Sequence, residues 1–334
     1  YVWIGVALVY EEIEIVSSRT DIHPKFGSPY ANSFDAAILE LKAPAYRYNL
    51  QTEPTRVRLV DIHAHDAGAF TEGLFFHGDA LVESTGLHDK SFIREYRLAS
   101  PAPTGGGDDA AAERRGPPLP LKEFRFDARM FGEGVASIGD RLYALTYKDK
   151  VVLELSLRDF SLLRSHPLET TTGEGWGMTT DGQLLVVSDG SATIQFYDPR
   201  AGFRRVRTVD VHDRASGERL ANVNELEFVP GEDEILANVW FRNHVLRINA
   251  TDGGVLEVID LAWVANMVSN LQSPALRRSG LRHDAVMNGI ALHPVTKHVF
   301  VTGKLWDSIF ELEFSTLAAT KRRKKGTRDR SGQH

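Results

Sequence analysis

Two glutamates far apart in the chain share one local setting, Glu72 in Phe70-Thr71-Glu72-Gly73-Leu74 and Glu133 in Phe131-Gly132-Glu133-Gly134. An aromatic neighbourhood disfavours the charged form of a carboxyl group. It therefore raises the pKa from about 4.3 toward the 6 to 7 useful for proton transfer at neutral pH. Asn224 and Asn288 occupy the equivalent place in Asn224-Glu225-Leu226 and Asn288-Gly289-Ile290, and Trp176 does so in Trp176-Gly177-Met178. An amide there can hydrogen-bond to developing charge, and the oxygens of Glu and Asn are also the donors that calcium prefers. Asn288 is read as a turn residue. His63-Ala64-His65 puts two imidazoles on one face of a strand at ligand-like spacing, but no third ligand is nearby in sequence, so they are read as structural. Ser188-Asp189-Gly190-Ser191 has no G-x-S-x-G elbow around it and reads as a turn. With no cysteine, a thiol nucleophile, a disulfide and a CxxC zinc site are excluded. The sequence also has no phosphate loop, dinucleotide fingerprint or HExxH motif.

The elements that must position these residues follow from a phrase that recurs five times. A turn leads into an apolar strand, a hairpin into a second apolar strand ending in a polar motif, and a third, alternating strand follows. The copies begin at Glu72, Glu133, Trp176, Asn224 and Asn288. The second strands are residues 81–86, 142–148, 184–189, 235–240 and 299–304, several preceded by Gly-Asp, Asp-Gly or Gly-Glu, where a hairpin needs positive φ. The third strands, 91–97, 150–155, 193–197, 244–248 and 308–314, alternate with the period of half-buried strands. Two spacings are long. Residues 99–120 form a low-complexity loop in the first, and a segment reading helical at 261–268 interrupts the last.

Each unit is thus close to a four-stranded blade, and the reading is all-β: a five-bladed β-propeller with a short helical insertion before the last blade. Residues 56–60 are expected to supply the outer strand of the last blade and close the ring. A six-bladed ring and an open β-sandwich pair are the alternatives. The domain reading is an N-terminal extension at 1–55, the propeller at 56–316 and a basic disordered tail at 317–334. In a propeller, first-strand starts and second-strand ends meet at the central axis, so the polar and aromatic residues there should converge.

At 334 residues and 42% hydrophobic, the chain can bury a full core. The net charge of −6 conceals a tail, residues 321–330, with seven basic residues and one Asp, so the remainder lies near −12. An acidic body without a basic stripe argues against a nucleic-acid partner. The first ten residues are apolar but too few to span a bilayer, and are read as a strand or as the trimmed end of a signal or anchor helix.

At the blade positions the sequence resembles the plant and bacterial glutaminyl-peptide cyclotransferase family. The similarity runs through Phe70-Thr71-Glu72-Gly73-Leu74, Phe131-Gly132-Glu133-Gly134, Glu174-Gly175-Trp176-Gly177, Asn224-Glu225-Leu226-Glu227, Ala237-Asn238-Val239-Trp240 and Val301-Thr302-Gly303-Lys304, from about His65 to Phe314. The resemblance implies a five-bladed propeller that closes N-terminal glutamine to pyroglutamate with loss of ammonia, acting without a cofactor or metal as a monomer of the secretory pathway. Its partners would be peptides or proteins with N-terminal Gln, and any membrane contact would come from an N-terminal anchor outside this sequence. Carried over by motif position, Glu133, Asn224 and Lys304 would be catalytic, and Phe70, Glu72, Phe131, Tyr147, Trp176 and Trp240 would bind substrate. Two positions depart from the family pattern: Glu72 stands where Gln is usual, and Tyr147 where Trp is usual. In this reading Glu133 carries the proton, Asn224 hydrogen-bonds the carboxamide oxygen, and Lys304 polarises that oxygen or steers Glu133. A calcium-dependent lactonase-like propeller and a non-catalytic binding propeller are the competing functions.

Overall fold

The computed structural model describes residues 54–98 and 116–317. Of the two compact units into which the chain divides, Tyr1–Tyr48 lies outside the described residues and Asn49–His334 holds all the structure that follows. The extension expected at 1–55 and the tail expected at 317–334 fall almost wholly outside them, as do residues 99–115 of the loop expected at 99–120.

Five antiparallel sheets follow one another along the chain. Blade 1 holds β2 (Thr71–His77), β3 (Ala80–Thr85), β4 (Phe92–Tyr96) and β5 (Lys122–Arg125), and blade 2 holds β6 (Gly132–Ile138), β7 (Arg141–Thr146), β8 (Val151–Ser156) and β9 (Leu162–Pro167). Blade 3 is β10 (Met178–Thr180), β11 (Leu185–Val187), β12 (Thr193–Asp198) and β13 (Arg204–Asp210). Blade 4 is β15 (Val223–Val229), β16 (Glu234–Val239), β17 (His244–Asn249) and β18 (Gly254–Asp260), with the two-residue β14 (His212–Asp213) added in parallel to β18. Blade 5 is β19 (Met287–Leu292), β20 (Val299–Gly303) and β21 (Ser308–Phe314), completed by β1 (Val57–Ala64), which pairs antiparallel with β21. Strands from the two ends of the described chain therefore share one blade. The ring is closed by ladder hydrogen bonds between β1 and β21.

The sequence dictates this locally in two ways. Gly78 and Gly139, with φ of 63° and 59°, make the β2–β3 and β6–β7 hairpins at little steric cost. The alternating strands bury one set of side chains on each face, so apolar clusters lie between neighbouring blades. One joins Val82 and Ile93 of blade 1 to Val135, Leu142 and Leu155 of blade 2, and another joins Leu145 and Val152 of blade 2 to Leu185, Val187 and Tyr197 of blade 3.

The insertion before blade 5 is helical as expected, α1 at Ala262–Met267 and α2 at Pro274–Arg278. Val264, Ala265 and Val268 plug it into the cluster of Phe310, Phe314 and Trp306. The Ser273 hydroxyl caps α2 by accepting from Leu276 N–H at 3.2 Å, with Pro274 in the first turn.

The inner strands approach one another backbone to backbone. A Cβ on Gly134 would meet Met178 N at 2.3 Å, and one on Gly177 would meet the Asn224 carbonyl oxygen at 2.1 Å. Only glycine fits at these two positions, which is why the phrase carries it in blades 2 and 3.

Candidate active site

In four blades the ladder beside the innermost strand is irregular at the position the repeats align. The register shifts between Thr71 and Gly73, Gly132 and Val135, Val223 and Leu226, and Met287 and Ile290. A bulge turns the extra residue out of the pleat. Glu72, Glu133, Asn224 and Asn288 are the residues so placed. In blade 4 the glycine of the phrase is replaced by Glu225, whose buried carboxyl accepts from Leu74 N at 3.3 Å and Ile290 N at 2.7 Å, tying blades 1, 4 and 5 at the axis. Burial, followed by the charge of Glu227, holds Glu225 well above the usual carboxylate range.

Six of the nine expected site residues are buried: Phe70, Glu72, Phe131, Glu133, Asn224 and Lys304. Glu72 is the hub. It accepts from Lys304 Nζ at 2.7 Å and Asn288 Nδ2 at 3.2 Å, and its carboxyl is hydrogen-bonded to that of Glu133. Two carboxylates in contact cannot both ionise cheaply, so the pair holds a proton between them. Burial raises Glu72, Lys304 pulls it back, and the balance stands at about 7. Burial and then the charge of Glu72 push Glu133 well above the usual range, so the pair together carries a proton at neutral pH. Lys304 Nζ also lies 4.7 Å from the centroid of the Phe70 ring, which stands edge-on to Phe131 at 6.1 Å.

Tyr147, Trp176 and Trp240 are half-buried and form a rim. Tyr147 lies 5.8 Å from Phe131, and Trp176 meets Trp240 edge to face at 5.4 Å. Trp176 Nε1 donates to Glu174 at 3.0 Å, and Glu174 also pairs with Lys148 at 3.1 Å. The Trp176 ring lies directly over Gly190, where a Cβ would be 2.5 Å from it. Asn224 closes the blade 4 side. Its backbone carbonyl accepts from Ser188 Oγ, while its buried Oδ1 has no hydrogen-bond partner among the described residues, and the same holds for Asn288 Oδ1. Ser188 thus acts as a tie between blades 3 and 4.

Three expectations change. Asn288 is a residue of β19 rather than of a turn, and its amide bridges Glu72 and the Thr71 carbonyl. Lys304 pairs with Glu72 and not with Glu133, because both leave their strands on the blade 5 to blade 1 side. The two histidines part company. His63 stays on β1, whereas His65, just past its end, turns inward to Glu83 at 2.9 Å and to the Trp306 carbonyl at 2.8 Å. Sequence reasoning passed over Asp284 and Glu174, whose charges act on Glu72 and Glu133 respectively. Asp284 lies in a loop outside the repeated phrase, whereas Glu174 stands in the motif of Trp176 and was given no role there. The departures at Glu72 and Tyr147 both fall among the gathered residues, Glu72 against Lys304 and Tyr147 beside Phe131.

The fold and the site together define a five-bladed propeller enzyme that gathers a carboxyl pair, a lysine and a set of aromatic rings where its inner strands begin. The chain belongs to the glutamine cyclotransferase family, whose model matches residues 34–314. It is 33% identical over 265 residues to a glutaminyl-peptide cyclotransferase of Arabidopsis thaliana, a match covering 79% of this chain and 72% of that protein. The crystal structure of Myxococcus xanthus glutaminyl cyclase superimposes with a TM-score of 0.63 at 32% identity, covering 78% of this chain and 98% of that one.

Proposed function

We propose that the protein cyclises the N-terminal glutamine of peptides to pyroglutamate with release of ammonia. The reaction asks for little covalent machinery. The α-amine attacks the γ-carboxamide carbon of the same residue, the carbon–nitrogen bond of the carboxamide breaks, and one proton must pass from the attacking nitrogen to the leaving one. Holding the substrate folded with the amine near the carbonyl lowers the barrier by several kcal/mol, and a placed acid/base adds about 10²- to 10⁴-fold.

The observation that carries this reading is the buried Glu72–Glu133 pair, which shares a proton beside Lys304. Glu133 donates to the departing nitrogen, and the pair takes back a proton from the attacking amine, so it ends as it began. The unpartnered oxygens of Asn224 and Asn288 suit a substrate end rich in N–H groups, and rotation of the Asn224 amide presents its N–H to the carboxamide oxygen. Phe70, Phe131, Tyr147, Trp176 and Trp240 exclude water and strengthen these interactions. Residues that read as calcium ligands in sequence are instead engaged with one another: Glu72 is held by Lys304 and Asn288, and Glu133 by Glu72. That favours proton transfer over the lactonase reading.

The test is continuous ammonia release from a Gln-initiated peptide, with the product identified by its mass loss of one ammonia. A purified, folded protein that binds such a peptide without turning it over would point to the binding-module reading instead.

A further inference from the structure

His63, separated from His65 by the fold, acquires partners that no local motif announces. On β1 the register with β21 runs Leu59 to Leu312 and then Asp61 to Glu311, with Val60 as a bulge. Without that extra residue, Asp61 and His63 would fall on the opposite face of the sheet from Glu311. With it they fall on the same face, and a bulge that re-aims side chains is a feature of sites. His63 Nε2 lies 3.1 Å from Glu311 Oε2, and one ligand atom from each of Asp61, His63 and Glu311 falls within a 4.8 Å group. From the start of β20, His298 Nδ1 reaches the other oxygen of Glu311 at 2.5 Å. The His63 ring is held in place by stacking on Phe300, with centroids 5.7 Å apart. His63 and Glu311 expose only 9% and 16% of their side chains, so this is a recess in the blade rather than a surface ion pair.

We propose that Asp61, His63, His298 and Glu311 form a divalent-metal site suited to Zn²⁺, distinct from the axial pocket. Two imidazoles and two carboxylates are a donor set for Zn²⁺ rather than for calcium or magnesium, which take oxygen. Tetrahedral Zn²⁺ with bonds of about 2.0–2.2 Å places its ligand atoms about 3.3 Å apart, close to the 3.1 Å between His63 Nε2 and Glu311 Oε2. All four donors lie on β1, on β21 or at the start of β20. A bound ion therefore fastens β1, the strand that closes the ring, to the rest of its blade. The role is structural: none of the four residues contacts the Glu72–Glu133 pair.

The full chain, stripped with chelator and dialysed against ZnCl₂, is expected to retain one Zn²⁺ that His63→Gln and His298→Gln each lose. Thermal unfolding should rise by several degrees with Zn²⁺ in the wild type and not in either variant. Ammonia release from Gln peptides should stay within about twofold in both variants, since they lie outside the reacting groups. Should a variant fail to fold, X-ray absorption of the zinc-loaded wild type decides: two imidazole ligands are expected. Absence of saturable Zn²⁺ binding, full retention of Zn²⁺ by both variants, or a zinc spectrum without imidazole would each overturn the proposal and leave the cluster as hydrogen-bonded ion pairs only.

Discussion

Two of the glutamates that blade 1 buries, Glu72 and Glu83, lie on neighbouring strands and have opposite fates. Glu83 on β3 accepts from His65 at 2.9 Å, Thr71 at 2.6 Å and Tyr96 at 3.1 Å. Burial alone would raise its pKa, but the charge of His65 and these donors outweigh burial and hold it below its ordinary value. Glu72 on β2, adjacent to Thr71, shares its space with Glu133 and is raised to about 7. A carboxylate saturated with donors is fixed in charge and serves as a structural tie, here joining the end of β1 to blade 1. A carboxyl facing another carboxyl keeps a movable proton and serves chemistry. The bulge between Thr71 and Gly73 separates the two: Thr71 bonds to Glu83, while Glu72 meets Lys304 and Glu133.

The largest expected effect breaks the reactive side of this comparison. Glu133→Gln removes the proton carrier while keeping shape and hydrogen bonding, and kcat for ammonia release should fall about 10²- to 10⁴-fold with the melting temperature little changed. On the structural side, His65→Leu leaves the Glu83 charge buried with only neutral donors. That should cost about 3–5 kcal/mol in urea unfolding, because an uncompensated buried charge is expensive. A variant with native stability would show that Glu83 is satisfied without its cation.

A smaller effect is the dependence of stability on pH, in which Glu72 and Glu83 respond with opposite signs. For Glu72 at about 7 and Glu227 at about 8, the folded pKa lies above the ordinary 4.5. The stability they carry is full below that value and is lost as pH rises through 7 to 8. For Glu83 the folded pKa lies below 4.5, so its contribution is full above that value and is lost in acid. Burial works against a charged His65, but Glu83 outweighs it, so its contribution is also lost in alkali. Melting temperature should therefore fall from pH 6 to pH 9, and Glu227→Gln should flatten that decline.

The inner three strands of each blade were legible because they are apolar and periodic, and the hairpin glycines marked their turns. The outermost strands of blades 1 to 4 were not, and β9, Leu162–Pro167, shows why. Nearly all of it is exposed, so no face imposes alternation. The closing strand β1 was anticipated because residues 56–60 precede the first copy with nothing left to pair them. At the site, motif position located Glu72, Glu133, Asn224 and Lys304 but not their partners. Which carboxyl Lys304 meets depends on the turn after β20, and the Asn288 contact depends on a bulge. The His63 cluster was illegible for the same reason, since Glu311 and His298 lie on other strands more than 200 residues away.

The assignment of roles within the pair is tested most directly by the pH–rate profiles of Glu72→Gln and Glu133→Gln, followed by ammonia release from pH 5 to 9. Glu72→Gln removes the like charge that raises Glu133, so it should remain active, with the limb reporting Glu133 displaced to lower pH. Glu133→Gln should be nearly inactive across the range. An inactive Glu72→Gln beside a tolerant Glu133→Gln would contradict the account.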